Sequence, residues 1–210
     1  MSLVSFLKRL PIDVGQAERK HDSAGKLIAF SFVEDGEGKR ALDIGCRDGY
    51  WSERLKDKGH SVSALDIEPK YASALTHNVE EGLPFADASF DLVWCTEVIE
   101  HLHKPEFLLS EIERVLAPGG RAILTTPNSG WWFYWIVALW GWTPKKLQNP
   151  DHKQFFTEHS LRDIAKGYEL FGYFPYAIRF FRIRSCIGAL SPTFILVCNP
   201  PQSKDALLEK

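Results

Sequence analysis

The sequence predicts an α/β protein, a mostly parallel β-sheet covered by helices on both faces. Three observations point there. From residue 40 onward, short apolar runs alternate with segments whose apolar residues recur at helical spacing, the signature of a parallel sheet. The first run stops at a glycine and passes directly into a helix-like segment. The chain has 210 residues, 45% hydrophobic and 25% charged, enough for one sizeable core without a second domain.

The elements follow in order. Residues 1–38 are mixed, with an acidic, glycine-containing loop (VEDGEGKR) before the first clear strand, Arg40–Ile44. Tyr50–Lys58 reads as a helix, with Trp51 and Leu55 on one face and Gly59 as its stop. Ser61–Leu65 is a second strand ending at Asp66. Only DIEPKY separates it from a third, Ala72–His77, whereas a helical crossover needs ~10–12 residues. Either the helix is reduced to a turn or the strand is displaced. Phe90–Cys95 is a strongly buried strand. Pro105–Leu116 is a helix with Phe107, Leu108, Ile112, Val115 and Leu116 inward, and APGG turns the chain into a strand at Arg121–Thr125. Thr157 caps a helix over roughly Glu158–Tyr168. Two final strands, Tyr173–Ile183 and Thr193–Cys198, can pair as an antiparallel hairpin at the sheet edge.

Charge and cysteine usage narrow the function. The formal net charge is -2 and the pI about 6.4. No global basic field draws nucleic acid, and no long nucleic acid is expected as a partner. Cys46, Cys95, Cys186 and Cys198 have no C-x-x-C spacing and read as reduced thiols of a cytoplasmic protein. The opening MSLVSFLKRLP is too short an apolar stretch for a signal peptide.

The strongest chemical signal is ALDIGCRDGYWSERL. Gly45 lets the backbone turn sharply, and the helix N-terminus behind it favours an anion such as a carboxylate. Asp43, just before the turn, can attract an ammonium. Carboxylate and ammonium are the two ends of an amino acid. Asp66, at the end of the second strand, can accept hydrogen bonds from ribose hydroxyls. A nicotinamide-dependent oxidoreductase would use such an acid too, but would want G-x-G-x-x-G; here Gly45 and Gly49 flank Arg47 as G-x-x-x-G.

The motifs LDIGCRDG, ALDIEP, LPFADASFDLVWCTEVIEHL and EIERVLAPGGRAILTTPN, from about Arg40 to Asn128, resemble the class I S-adenosylmethionine-dependent methyltransferases, in particular the ubiquinone-type and MetW-like group. The resemblance implies a Rossmann-like, three-layer α/β/α fold with a seven-stranded, mostly parallel sheet, an antiparallel final strand and a shortened second crossover. It implies S-adenosylmethionine as cofactor. Asp43, Gly45, Cys46 and Gly49 would hold the methionine end, and Asp66 and Ile67 the ribose and adenine. Asn78 and Val79 would lie beside the adenine edge, Cys95 and Thr96 beside the sulfonium. The chain departs from the family pattern at Arg47, in place of the usual central glycine, and at Asn78, where aspartate is common.

If TEVIEHLH is helical, Glu97, Glu100 and His101 share one face. Glu97 and His101 are the candidate catalytic residues, lining the acceptor pocket and able to take a proton from a hydroxyl. The primary expectation is a site without metal. The resemblance offers a second, in which such an E-x-x-E-H string and a later histidine, here His152, hold a divalent cation.

Five of the seven tryptophans lie between Trp131 and Trp142, in GWWFYWIVALWGW, a stretch shorter than the ~18 residues of a membrane span. It reads as a helix packed on the domain, as the wall of a pocket for a hydrophobic acceptor, or as a contact with the membrane interface through Trp131, Trp132, Trp135 and Trp140, with Lys145 and Lys146 at the headgroups. The expectation is thus one domain, 1–210, with 129–156 as a hydrophobic lid or insert. Its activity would be methyl transfer, by preference to oxygen, onto a small or lipid-like acceptor. A non-catalytic binding partner of the same fold is the rival.

Overall fold

The computed structural model describes residues 21–139, 141, 143–149, 151–175 and 180–199, without the side chains of residues 175, 180 and 181. Helix α1 (Ala24–Phe30) precedes strand β1 (Arg40–Ile44), which leads into α2 (Tyr50–Asp57) and β2 (Ser61–Asp66). After β3 (Leu75–Thr76) come β4 (Phe90–Thr96), α3 (Pro105–Val115) and β5 (Leu116–Pro127). The aromatic run holds α4 (Trp132–Ala138), followed by α5 (Pro144–Leu147) and α6 (Glu158–Ile164). The chain closes with β6 (Glu169–Pro175), β7 (Phe180–Ile183), α7 (Ile187–Leu190) and β8 (Thr193–Cys198).

The sheet order is β3-β2-β1-β4-β5-β8-β6-β7. Pairs from β3 to β5 are parallel, so the carboxyl ends of β1, β2, β4 and β5 share one edge. Side-chain alternation divides the core. Leu42, Ile44, Val93, Cys95 and Leu124 face α3, with Leu108 and Ile112. Ala41, Leu92, Trp94 and Ile123 face α1 and α2, where Phe30, Trp51 and Leu55 meet them. The three layers follow from that alternation.

Several expectations change. Among the described residues there are eight strands rather than seven, because Tyr173–Ile183 divides into β6 and β7, which pair with each other. The last strand is antiparallel as expected but does not form an edge hairpin. It enters between β5 and β6, with Ile195 opposite both Thr125 and Phe171. All six of its residues are buried, and so apolar a run belongs inside a sheet. In α3, Phe107 is exposed and Leu109 buried, because Pro105, Leu108, Leu109, Ile112 and Val115 keep the helical period. The second crossover is indeed a turn, leaving β3 only two residues long. The helix capped by Thr157 ends at Ile164, short of Tyr168.

The end of β5 is fastened by Asn128, which is fully buried. Its Nδ2 donates to the carbonyls of Gly188 at 2.8 Å and Ser191 at 2.6 Å, and its Oδ1 accepts from Gly130 N at 2.8 Å. Replacing Asn128 by alanine would strand those groups in a dry environment. Urea denaturation should show a loss of about 2–4 kcal/mol.

Candidate functional site

The glycine turn is locked to the end of β2. The N–H groups of Gly45 and Cys46 both donate to Leu65 O, at 2.9 and 3.2 Å. Gly45 (φ 78°), Arg47 (φ 47°) and Gly49 (φ 83°) all take left-handed conformations. The Asp66 carboxylate accepts from Arg47 N at 2.9 Å through Oδ2 and from Glu68 N at 2.9 Å through Oδ1. Each oxygen keeps accepting capacity for a further donor. A Cβ on Gly45 would overlap the Val98 side chain, and one on Gly49 would overlap the Tyr71 ring. Those neighbours and the backbone, rather than room for a ligand, are what require glycine at both places.

Asp43 is 2% exposed, with Ser52 Oγ donating to its Oδ2 at 2.6 Å. Burial raises its pKa to about 7 against the opposing effect of Ser52. It is poised to ionise when a cation arrives. Ile67, beside Asp66, is 64% exposed, an apolar surface at the ligand-binding edge. Asn78 is half-buried and its side chain accepts from Glu80 N at 3.1 Å, while Val79 is buried in the core. Cys46 is buried and its thiol is pushed up to about 12, chiefly by burial. Cys95 is wholly buried with Leu42, Ile44 and Ile99, its thiol raised by burial; Thr96 is buried at the end of β4.

The segment after β4 is not an α-helix. Glu97 is left-handed (φ 57°), and only Ile99–His101 make a single tight turn. The expected shared face is therefore absent, because both carboxylates bend toward β5. Thr125 Oγ1 donates to Glu97 Oε1 at 2.9 Å, and Thr126 Oγ1 to Glu100 Oε2 at 3.0 Å. Glu100 is 1% exposed, and its Oε1 has no hydrogen-bond partner among the described residues. Its carbonyl accepts from Lys153 N and Gln154 N, each at 2.9 Å, which draws in the loop bearing His152. Glu100, His101 and His152 each offer a ligand atom within 4.8 Å of the others. Glu97 is not in that group. Burial, then the charge of Glu97, raises the Glu100 pKa well above the usual range. Burial lowers His101, and burial followed by His101 lowers His152 to about 4. One oxygen and two imidazole nitrogens suit a borderline divalent cation.

Several functional neighbours were not anticipated. His21 stacks on Tyr50 with ring centroids 4.3 Å apart, and its Nε2 lies 3.1 Å from Asp48 Oδ2. Tyr50 donates to Asp22 Oδ1 at 2.6 Å. Gly25 packs against Thr193, which pairs with Pro127 at the end of β5. Residues 21–25 thus run from the glycine turn to the end of β5. Lys26, half-buried in the first turn of α1, favours the ionised forms of both Asp43 and Glu100. Only Ser23, a helix N-cap, marks this region in the sequence.

In the aromatic run, Trp131, Tyr134 and Val137 are buried together. Trp131, expected at a membrane contact, is only 1% exposed because it anchors this cluster. Trp140 and Trp142 lie outside the described residues. Gln148 ties the cluster to the site, donating to Tyr134 OH at 3.3 Å, with its Oε1 3.4 Å from His152 Nδ1. No helix among the described residues is long and apolar enough to cross a membrane. His103 is exposed to solvent, 3.0 Å from Glu80.

Arg47 carries a left-handed backbone that glycine adopts without strain, and its turn is held by backbone groups that glycine would keep. Arg47→Gly should therefore raise unfolding stability by about 0.5–1 kcal/mol in a denaturant titration.

Comparison with known proteins agrees with this arrangement. A family profile described as a methyltransferase domain matches residues 16–170. The ubiquinone biosynthesis O-methyltransferase of Idiomarina loihiensis is 32% identical over 157 residues, 64% of this chain, and the chain spans 64% of that relative's length. A methyltransferase structure from Archaeoglobus fulgidus, 17% identical, superposes with a TM-score of 0.61 over 84% of this chain and 95% of its own. A Burkholderia thailandensis 1,6-didemethyltoxoflavin N1-methyltransferase with bound S-adenosylhomocysteine, 17% identical, gives 0.56 over 85% of this chain and 77% of its own. These two likenesses are of fold. The matched family segment takes in all of β1 to β5 together with the acidic strand ends described above, and the chain belongs to the class I S-adenosylmethionine-dependent methyltransferase family.

Proposed function

We propose that the chain is a cytoplasmic enzyme that transfers the methyl group of S-adenosylmethionine to a hydroxyl of a small or lipid-like acceptor, working at a membrane surface. The observation that carries this reading is the pair of acidic strand ends around the glycine turn, Asp43 buried and titrating near neutrality, Asp66 latched to the turn backbone. Asp43, Gly45, Cys46 and Gly49 hold the methionine end, with the ammonium beside Asp43; Lys26 supplies charge for its carboxylate. Asp66 accepts from the ribose hydroxyls and Ile67 covers the adenine, flanked by Asn78 and Val79. Cys95 is too deeply buried to offer its side chain, so it and Thr96 contribute at the sulfonium through the backbone.

The donor supplies an electrophilic methyl on a sulfonium, so the protein's work is to position the acceptor and exclude water. Glu97, fixed by Thr125, or, in a site without metal, His101 receives the acceptor proton. Segment 129–156 forms a hydrophobic lid whose aromatic cluster is linked to His152 through Gln148. The O-methyltransferase name of the 32%-identical relative supports a hydroxyl acceptor.

The unpaired, buried Glu100 Oε1 beside two histidines favours a second feature, a divalent cation held by Glu100, His101 and His152. Manganese should then raise the thermal midpoint of the chain, and Glu100→Gln should remove that increment; no increment in the native chain would exclude the cation.

S-adenosylhomocysteine should raise the thermal midpoint and NAD should not; the reverse would point to an oxidoreductase. Turnover of labelled donor against quinol, lipid and glycan-precursor acceptors separates an enzyme from a non-catalytic binder. Binding should also respond to pH. Asp43 keeps its proton in the empty site up to about pH 7 and releases it to solvent when an ammonium binds beside its carboxylate. Affinity therefore rises with pH up to about 7 and then levels off. In calorimetric titrations Asp43→Asn should flatten that rise.

A further inference from the structure

Helix α4 has two apolar faces. One is buried through Trp131, Tyr134 and Val137. The other carries Trp132 (43% exposed), Trp135 (75%), Ile136 (46%) and Leu139 (81%), at the i, i+3, i+4 and i+7 spacing of a single helical stripe. A helix apolar all round belongs in a core or a bilayer, yet α4 has seven residues, far below a span. From Ala122 to Pro150 the chain has no aspartate or glutamate, and its only charges there are Lys145 and Lys146. Both lysines are exposed, in the short helix α5 that follows.

We infer that the outward stripe of α4, with Lys145 and Lys146, is a docking surface for an anionic phospholipid bilayer. Indole and branched aliphatic side chains settle at the boundary between headgroups and acyl chains, and lysines beside them are drawn to anionic headgroups. The absence of acidic residues over the whole segment is the charge complement of that surface. A protein partner would need no such one-signed segment. The inference deepens the reading of residues 129–156 as the acceptor-side lid, and rests on that reading only for the idea that the acceptor enters from the bilayer. Within this segment Gln148 donates to Tyr134 OH on the buried face of α4 and lies 3.4 Å from His152 Nδ1, so that face adjoins the candidate site.

The test uses the full chain without donor or acceptor, so it stands or falls apart from the methyl-transfer reading. Vesicles of phosphatidylcholine alone are compared with vesicles containing phosphatidylglycerol, by co-sedimentation and by quenching of tryptophan emission with brominated lipid. The native chain should sediment with the anionic vesicles and be quenched by them. The double variant Trp135→Ser, Leu139→Ser should remain in the supernatant with its thermal midpoint unchanged, since both side chains are exposed. Lys145→Gln with Lys146→Gln should bind anionic vesicles roughly tenfold or more weakly and neutral ones no differently. Failure of the native chain to bind either vesicle would overturn the inference. So would equal binding by the serine variant, or a dimer in sedimentation velocity that this variant abolishes.

Discussion

The Asp66 carboxylate accepts from the N–H groups of Arg47 and Glu68, and the geometry at the carboxyl ends of β1 and β2 depends on that clamp. The turn after β1 contains three left-handed residues within five positions, one of them an arginine, and an unsupported chain would not hold it. By accepting one hydrogen bond from the turn and one from the chain beyond β2, the carboxylate fixes the ends of the first two strands relative to each other. It also fixes its own rotamer. An acid held by two backbone donors would meet the proposed ribose diol without reorganising, which is how a binding group is kept ready. The Arg47 carbonyl extends the clamp by accepting from Lys70 N and Tyr71 N, which brings the Tyr71 ring over Gly49.

A second fixed bend stands across the edge. Glu97 leaves β4 in a left-handed conformation with its N–H on Thr125 O, and the two threonine hydroxyls of β5 reach the two glutamates. Neighbouring carboxylates that would repel in water are here separated by different partners, one half-buried, the other wholly enclosed. The enclosed one is left with an oxygen lacking a partner among the described residues, beside two imidazoles that burial keeps neutral. A polar atom in that position is costly unless something pairs with it.

Much of the fold was legible because β1, β2 and β4 are short apolar runs ending at marked residues, Gly45, Asp66 and Thr96. The motif residues Asp43 and Asp66 stand at the strand ends where the pattern put them. Other features depend on tertiary contacts that no local pattern carries. The insertion of β8 inside the sheet is decided by pairing between residues 66 to 76 positions apart. The bend at Glu97 replaces a helical turn, its N–H and its carboxylate both taken by Thr125, 28 positions along the chain. Phe107 fell outside the core because α3 takes its phase from Pro105 and Leu108. Residues 21–26 carry no periodicity, and their closeness to Asp48 and Asp43 emerges only when α1 packs on the sheet.

The account turns on a nucleoside amino acid lying across the carboxyl ends of β1 and β2. A crystal structure grown with S-adenosylhomocysteine tests this most directly. Its ribose hydroxyls should lie within hydrogen-bond distance of Asp66 and its amino group beside Asp43, with the sulfur directed toward Glu97 and His101. Ligand found elsewhere on the protein, or bound at that edge without touching either aspartate, would contradict it.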